Sequence, residues 1–253
     1  MVKIEAVKTR PLVPPKDDLL SAFLESIPKI SEKSIVAFSS KVVSIHQGRC
    51  VSKKDWPDKD ALIIKEADKY IPRNTFPGHD VIFTTKNNIF NKSAGLDQSN
   101  GNGYYILWPE NLKETAKYLH SWLKSEYDLK EVGVIITDSN FTPLRRGAIG
   151  ICLSYFGFNP LSDYRGKKDI FGKTMNQQQA NLADAFASAS VLAMGEGGES
   201  TPLALISDIK NIEFSDEEFK SDKPYSSFEV PFEEDRYHPF LSNDKWQEGG
   251  SAK

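Results

Sequence analysis

The chain has 253 residues, with 32 Lys and Arg against 35 Asp and Glu and a net charge of −3. This balance excludes the global positive field that drives nucleic-acid binding, and no apolar stretch approaches the ~20 residues of a membrane span. The length suffices for one large domain or two small ones, and the two cysteines, Cys50 and Cys152, form no disulfide framework. We therefore expect a cytoplasmic protein with neither nucleic acid nor membrane as a partner.

The first half of the chain alternates strand and helix patterns. Polar and apolar residues alternate over 2–7, which predicts a strand, and apolar residues at helical spacing follow Asp17 until Pro28. Residues 34–38 read as a second strand, residues 57–71 as a helix and residues 80–85 as a strand.

The second half repeats this mixture. Residues 109–126 predict an amphipathic helix, and the β-branched run 134–136 predicts a buried strand, with Asp138 and Ser139 just past its end. Residues 175–194 predict a helix rich in small side chains, which permit close approach of another backbone. On its small-residue face, shared with Ala180, Asp184 needs a buried partner, either a cation or a capping backbone group.

Strands and helices are thus interspersed, which predicts an α+β fold with mixed sheets and packed helices. Beyond Ile209 the charge density rises and the apolar periodicity fades. We therefore divide the chain into a main domain, residues 1–210, and a peripheral C-terminal extension, residues 211–253.

Two polar segments are candidates for chemistry. In residues 94–100, Asp97, Ser99 and Asn100 offer the hard oxygen ligands that Mg²⁺ and Mn²⁺ prefer, although the same residue types also form simple turns. In residues 194–199, glycines can present backbone N–H groups to phosphate oxygens, and Glu196 or Glu199 can hold a metal. The alternative there is a glycine cap followed by a flexible loop.

Arg145 and Arg146 follow Asp138 closely and can orient an anionic substrate, or they form a solvated basic turn. The four histidines show no spacing typical of a zinc site or a catalytic triad. Because the chain contains neither a glycine-lysine phosphate loop nor a Gly-x-Gly-x-x-Gly motif, any nucleotide site must be of another kind.

Taken together, the segments resemble the γ-glutamyl ligase family typified by coenzyme F-420-0:L-glutamate ligase. The resemblance spans about residues 2–207 and rests on segments that occur in the family's order: 39–44 with Gly48 and Arg49, 94–100, 133–139, 145–147, 163–166 with Asp169 and Gly172, 183–184, and 194–198.

The resemblance implies the family's α+β fold, a homodimer, and formation of an amide bond that depends on GTP, or on ATP, and on two Mg²⁺ or Mn²⁺ ions. It implies Asp97, Asp138, Ser139 and Glu196 as metal ligands. We predict Asp97, Asp138 and Arg146 as catalytic residues, with the arginine positioning a carboxylate. The implied nucleotide contacts are Pro11, Leu12, Val13, Ser40, Lys41, Asn100, Met194, Gly195, Gly197, Gly198 and Glu199.

The family's reaction joins L-glutamate through a γ-linkage to a small anionic coenzyme, by way of an acyl phosphate. The acceptor stays open between coenzyme F-420-0 and a folate. Two departures bear on function: Ile45 stands where relatives carry a nucleotide-contacting lysine, and residues 150–154 differ from the usual Gly-x-Ala-Ile-Gly. A non-catalytic protein that binds nucleotide or coenzyme is therefore the competing hypothesis.

Overall fold

The computed structural model of the protein describes residues 1–219 and 228–252. In these residues the strands are β1 (Lys3–Val7), β2 (Ser34–Ser39), β3 (Cys50–Ser52), β4 (Lys69–Ile71), β5 (Phe83–Lys86), β6 (Ile89–Lys92), β7 (Tyr104–Ile106), β8 (Val132–Phe141), β9 (Ala148–Phe156), β10 (Leu161–Asp163), β11 (Gln179–Asn181), β12 (Leu203–Ser207) and β13 (Gln247–Glu248). The α-helices are α1 (Leu19–Ser26), α2 (Ser40–Gln47), α3 (Lys59–Glu66), α4 (Leu112–Tyr127), α5 (Leu182–Met194) and α6 (His238–Leu241). The predicted α+β class is confirmed.

The central sheet has the strand order β1-β12-β2-β8-β9. Its β2 and β8 strands run parallel and its other pairs antiparallel, so the sheet is mixed as predicted. Because β2 and β8 are parallel, their C-terminal ends meet at one edge, where Ser39 pairs with Thr137. Smaller sheets join β13-β4-β5-β6, β3-β7 and β10-β11.

Helices cover both faces of the central sheet. Successive side chains of a strand point to opposite faces, and along β2 Val36 and Phe38 pack in a different cluster from Ile35 and Ala37. The first cluster includes apolar residues of α1 and α4, and the second includes Ala183 and Ala187 of α5. The molecule therefore has three layers, with the sheet in the middle.

The small residues of α5 allow the close approach that their composition predicts. A Cβ atom on Gly150 of β9 would lie 2.4 Å from the carbonyl oxygen of Ala187, a distance that real Cβ atoms do not reach. Helix and strand therefore meet with backbone against backbone, and any side chain at Gly150 would push them apart.

Two predicted helices are too long. Residues 57–71 split into α3 and β4, because Ala67 adopts an extended conformation and Lys69–Ile71 pairs with β5. Residues 175–194 also split, since Gln179–Asn181 pairs with β10 and Asn181 then caps α5 through the backbone N–H of Asp184. The strand predicted over 80–85 begins only at Phe83.

Because α5 begins only at Leu182, Ala180 does not share a helical face with Asp184. The Asp184 carboxylate accepts a hydrogen bond from a backbone group. The Cys152 N–H donates to Asp184 Oδ1 at 2.8 Å. Cys152 lies where the pairing of β8 with β9 shifts register, between Ile136 and Thr137 of β8. Such an irregularity leaves backbone N–H and C=O groups without their usual partner on the neighbouring strand. The Asp184 carboxylate accepts a hydrogen bond from one of these N–H groups. Of the two partners predicted for Asp184, the structure shows the backbone group.

The predicted C-terminal extension includes residues 220–227 and 253, which lie outside the described residues. Its described parts contact the rest of the chain at several places, among them a bridge between Phe214 and Phe158, an ion pair between Asp216 and Lys124, and the pairing of β13 with β4. The boundary at residue 210 stays a prediction. None of the helices in the described residues is long and apolar enough to cross a membrane.

Candidate active site

A cavity of about 680 Å³ opens at the edge of the central sheet where β2 and β8 end. Its walls come from several segments that are distant in sequence. They bring together most of the residues singled out above: Pro11, Leu12, Lys41, Asp97, Asn100, Asp138, Ser139, Met194, Gly195, Glu196, Gly197, Gly198 and Glu199.

Three of the predicted site residues do not line this cavity. Val13 is exposed, and its N–H donates to Asp17. Ser40 is buried behind the wall, where its side chain hydrogen-bonds the carboxylate of Asp138. Arg146 lies in the exposed turn between β8 and β9. The structure therefore gives Arg146 no place among the groups that line the cavity.

Asp138 lies inside β8, which runs on to Phe141, so the predicted position just past the strand end is wrong. Pairing with Ile151 of β9 fixes its backbone. Burial raises the pKa of Asp138 to about 6, and the charge of Asp97 acts in the same direction. Hydrogen bonds from Trp108 Nε1, at 2.5 Å, and from the Ser139 N–H act against this rise.

Asp97 is held by a lysine and by a turn of its own. Lys41 Nζ lies 2.8 Å from Asp97 Oδ2, and the N–H and hydroxyl of Ser99 donate to Asp97 Oδ1 at 2.7 and 2.8 Å. Burial by itself would raise the pKa of Asp97, but Lys41 and Ser99 outweigh it, so the pKa lies below its ordinary value. Asp97 is therefore ionised wherever Asp138 titrates.

A serine and a glutamate form a further pair of oxygen-bearing side chains in the cavity. Ser139 donates from Oγ to both carboxylate oxygens of Glu196, at 2.7 and 2.9 Å. Glu196 follows Gly195, whose φ of 81° belongs to the left-handed region that favours glycine. The turn after α5 thus brings Glu196 to the strand that carries Asp138.

The glycine-rich loop after α5 is held by its own side chains. Glu199 Oε2 accepts from the Gly197 N–H at 2.8 Å, and Asn100 Nδ2 donates to the Gly197 carbonyl at 3.0 Å. Thr201 Oγ1 donates to the carbonyl oxygen of Met194. A carboxylate therefore already occupies a backbone N–H that can bind a phosphate oxygen.

Sequence reasoning missed one buried contributor, Trp108, which is 2% exposed. It ends an apolar run from Tyr104 and reads as an ordinary core residue. Its ring lies flat against Gly95, where an added Cβ would fall 2.0 Å from the ring. The signal available in the sequence was the glycine at position 95, since glycine permits the close approach of another group.

Ile45 and Gln47 have structural roles. Ile45 is buried and lines the cavity, so an apolar side chain stands where the resemblance implies a lysine. Gln47 donates to Thr115 Oγ1 and accepts from the Glu110 N–H, which ties α2 to the start of α4. One cavity wall is therefore less positive than the family pattern predicts.

The donor set matches the chemistry of the implied ions. Asp97, Asp138, Ser139 and Glu196 supply only oxygen atoms, as Mg²⁺ and Mn²⁺ prefer. The charge of Asp97 raises the pKa of Asp138, so the two carboxylates repel each other, and a divalent cation bound to both would relieve this repulsion. In the described residues, no three Asp, Glu, His or Cys side chains form a ready-made ligand cluster.

Comparisons with known proteins identify the family. The family model described as "F420-0:Gamma-glutamyl ligase" matches residues 7–208. Similar curated proteins named "Coenzyme F420:L-glutamate ligase" include that of Methanopyrus kandleri, 31% identical over 83% of this chain and 88% of the relative. Those of Methanothermobacter thermautotrophicus and Methanocaldococcus jannaschii are 27% and 29% identical, over 81% and 74% of this chain and 88% and 80% of the relatives. The chain belongs to the F420-0:gamma-glutamyl ligase family.

Proposed function

We propose that the protein is a nucleotide- and metal-dependent γ-glutamyl ligase that adds L-glutamate to a carboxylate-bearing coenzyme, with coenzyme F-420-0 as the first candidate acceptor. One observation carries the proposal: a single cavity brings together Asp97 and Asp138, the Ser139–Glu196 pair and a glycine-rich loop with backbone donors. The names of the similar curated proteins support the acceptor class.

The nucleotide's phosphates would lie against the glycine-rich loop. In this role Glu199 would leave the Gly197 N–H, which would then donate to a phosphate oxygen. Lys41, whose Nζ lies between Asp97 and Ser99, would balance further phosphate charge. Asn100 would keep the loop in place through the Gly197 carbonyl.

One metal ion would be held by Asp97 and Asp138, and a second by Ser139 and Glu196. The ions would neutralise the negative charge of the phosphates. The acceptor carboxylate attacks the γ-phosphorus, and the bond to the nucleoside diphosphate breaks, giving an acyl phosphate. The amine of glutamate then attacks the acyl carbon, inorganic phosphate leaves, and the amine loses a proton. The chain's contribution is to hold these groups in line and to limit water.

A homodimer and a cytoplasmic location belong to the same proposal. The segment between β10 and β11 exposes Ile170 and Phe171, which are 91% and 88% exposed. Large apolar side chains left in water support a surface that a second copy covers. The free thiols of Cys50 and Cys152 fit a reducing compartment. Light scattering after size exclusion measures the oligomeric state.

Mass spectrometry of reaction products tests the ligase. The protein is incubated with L-glutamate, Mg²⁺ or Mn²⁺, and GTP or ATP, with coenzyme F-420-0 and tetrahydrofolate in separate tubes. A glutamyl mass increment in the F-420-0 tube supports the proposal, and an increment only with tetrahydrofolate transfers it to folate. Nucleotide binding without an increment in either tube favours the non-catalytic alternative.

A further inference from the structure

Two lysines that line the cavity, Lys59 and Lys92, have no role in the mechanism above. In the described part of the chain, neither has a carboxylate within ion-pair distance, whereas the cavity's other cations do: Arg10 pairs with Asp17 and Lys41 pairs with Asp97. The cavity therefore offers two positive charges that have no ion-pair partner among the described residues.

Lys59 stands where a lysine does not help the fold. It is the first residue of α3, at the positive end of the helix dipole, where a cation is unfavourable. The neighbouring Asp58 and Asp60 are engaged elsewhere, Asp58 with the Ala61 N–H and Asp60 with Arg73. A lysine that weakens its own helix and faces a cavity is better explained by a ligand.

Lys92 lies over an aromatic ring. Its Nζ is 4.0 Å from the ring centroid of Phe141, which is 48% exposed and also lines the cavity. The adjacent Asn91 is buried, and its Oδ1 accepts from Thr84, since successive side chains of β6 point to opposite faces. A cation and an aromatic face are thus brought together at the cavity wall.

We propose that Lys59, Lys92 and Phe141 form the subsite for the acceptor, a flat heteroaromatic acid with at least two negative groups. The lysines would bind the acceptor's non-reacting negative group, Phe141 would stack against its ring, and the reacting carboxylate would reach the Asp97–Asp138 pair. The glycine-rich loop and Lys41, on other segments of the cavity wall, remain for the nucleotide. This inference rests on the proposed function.

Steady-state kinetics of Lys59→Gln, Lys92→Gln and Phe141→Leu test the subsite. Each substitution should raise the KM for the acceptor about tenfold, since each removes one charge-assisted or stacking contact. The kcat and the KM values for nucleotide and glutamate should stay within about twofold. Lys65→Gln is the control for Lys59, because Lys65 lies on the same helix. Lys69→Gln is the control for Lys92, because Lys69 lies over the ring of Phe232 but does not line the cavity.

Unchanged acceptor KM values, or a rise in the nucleotide KM instead, would overturn the subsite. Equilibrium dialysis of coenzyme F-420-0 and tetrahydrofolate against the same proteins measures acceptor binding independently of ligation. Weaker binding by the two lysine variants than by the controls supports the subsite even if the wild type forms no product, in which case only the proposed function fails. Equal binding by all variants, or no binding by the wild type, overturns it.

Discussion

The indole N–H of Trp108 donates to Oδ2 of Asp138, and this contact links the buried core to the cavity. One side of the indole lies against Gly95, two residues before Asp97. A single aromatic side chain therefore fixes one carboxylate directly and packs against the turn that carries the other.

Replacing Trp108 by Phe keeps most of the packing and removes the hydrogen bond. Because that bond lowers the pKa of Asp138, its loss should raise this pKa and move the acid limb of the rate profile to higher pH. We expect kcat to fall about 10- to 100-fold, the range for one misplaced catalytic group. Trp122→Phe, in the core against Phe23, should leave the pH profile unchanged. An unaltered profile in Trp108→Phe would show that the hydrogen bond is unimportant.

Gly95→Ala should destabilise the fold strongly. The added Cβ would lie 2.0 Å from the Trp108 ring and would also occupy a left-handed backbone at φ 70°. Gly103→Ala meets only the backbone strain, since its φ is 89° and nothing lies within 4 Å. We expect a loss of ~1 kcal/mol at Gly103 and at least ~3 kcal/mol at Gly95, measured by urea unfolding. Equal losses would mean that the indole moves aside freely.

Asp138→Asn should stabilise the metal-free protein at pH 8 while it abolishes turnover. The folded-state pKa is about 6 against an ordinary 3.8, so the unfolded chain releases the proton first. Ionisation therefore lowers the free energy of unfolding as the pH rises from about 4 to about 6, and the deficit persists above that range. Asn cannot ionise, and we expect a gain on the order of 1–3 kcal/mol at pH 8 and none near pH 4.

The control for this stability measurement is Asp60→Asn. The hydrogen-bonded Arg73 lowers the pKa of Asp60, so losing this carboxylate should destabilise the protein at pH 8. If Asp138→Asn also lost stability at pH 8, the burial of an unfavourable charge at Asp138 would be refuted.

Mn²⁺ should raise the melting temperature by binding to the proposed ligands Asp97, Asp138, Ser139 and Glu196. A ligand at one hundred times its Kd stabilises the folded state by about 2.7 kcal/mol. Thermal unfolding with and without Mn²⁺ should show this shift in the wild type and in Asp60→Asn, but not in Asp97→Asn or Asp138→Asn. A full shift in both cavity variants would exclude the two aspartates as ligands.

Much of the site could be predicted because its chemistry is local in sequence. Asp97 and Asp138 each come where an apolar run gives way to polar residues. The glycines around Glu196 indicate a turn. The order of these segments then matched a known family. Helix ends were less predictable, since Tyr70 and Ala180 join strands through pairing partners remote in sequence.

Arg146 shows where proximity in sequence misleads. It follows Asp138 by only eight residues, but β8 continues to Phe141 and each strand residue advances the chain by ~3.3 Å. The hairpin therefore carries the arginine out to its exposed turn. Lys59 and Lys92 were missed for the opposite reason, because only the folded chain brings them to the cavity wall.

The hydrogen bond between Glu199 and the Gly197 N–H has a consequence for the reaction cycle. In the proposed function, an incoming phosphate would compete with a carboxylate that is tethered two residues away and is thus always at high local concentration. This competition would weaken nucleotide binding and would equally speed the departure of the spent diphosphate, since the carboxylate could reoccupy the donor at once. The loop would thereby lower the affinity for nucleotide and raise the rate of product release.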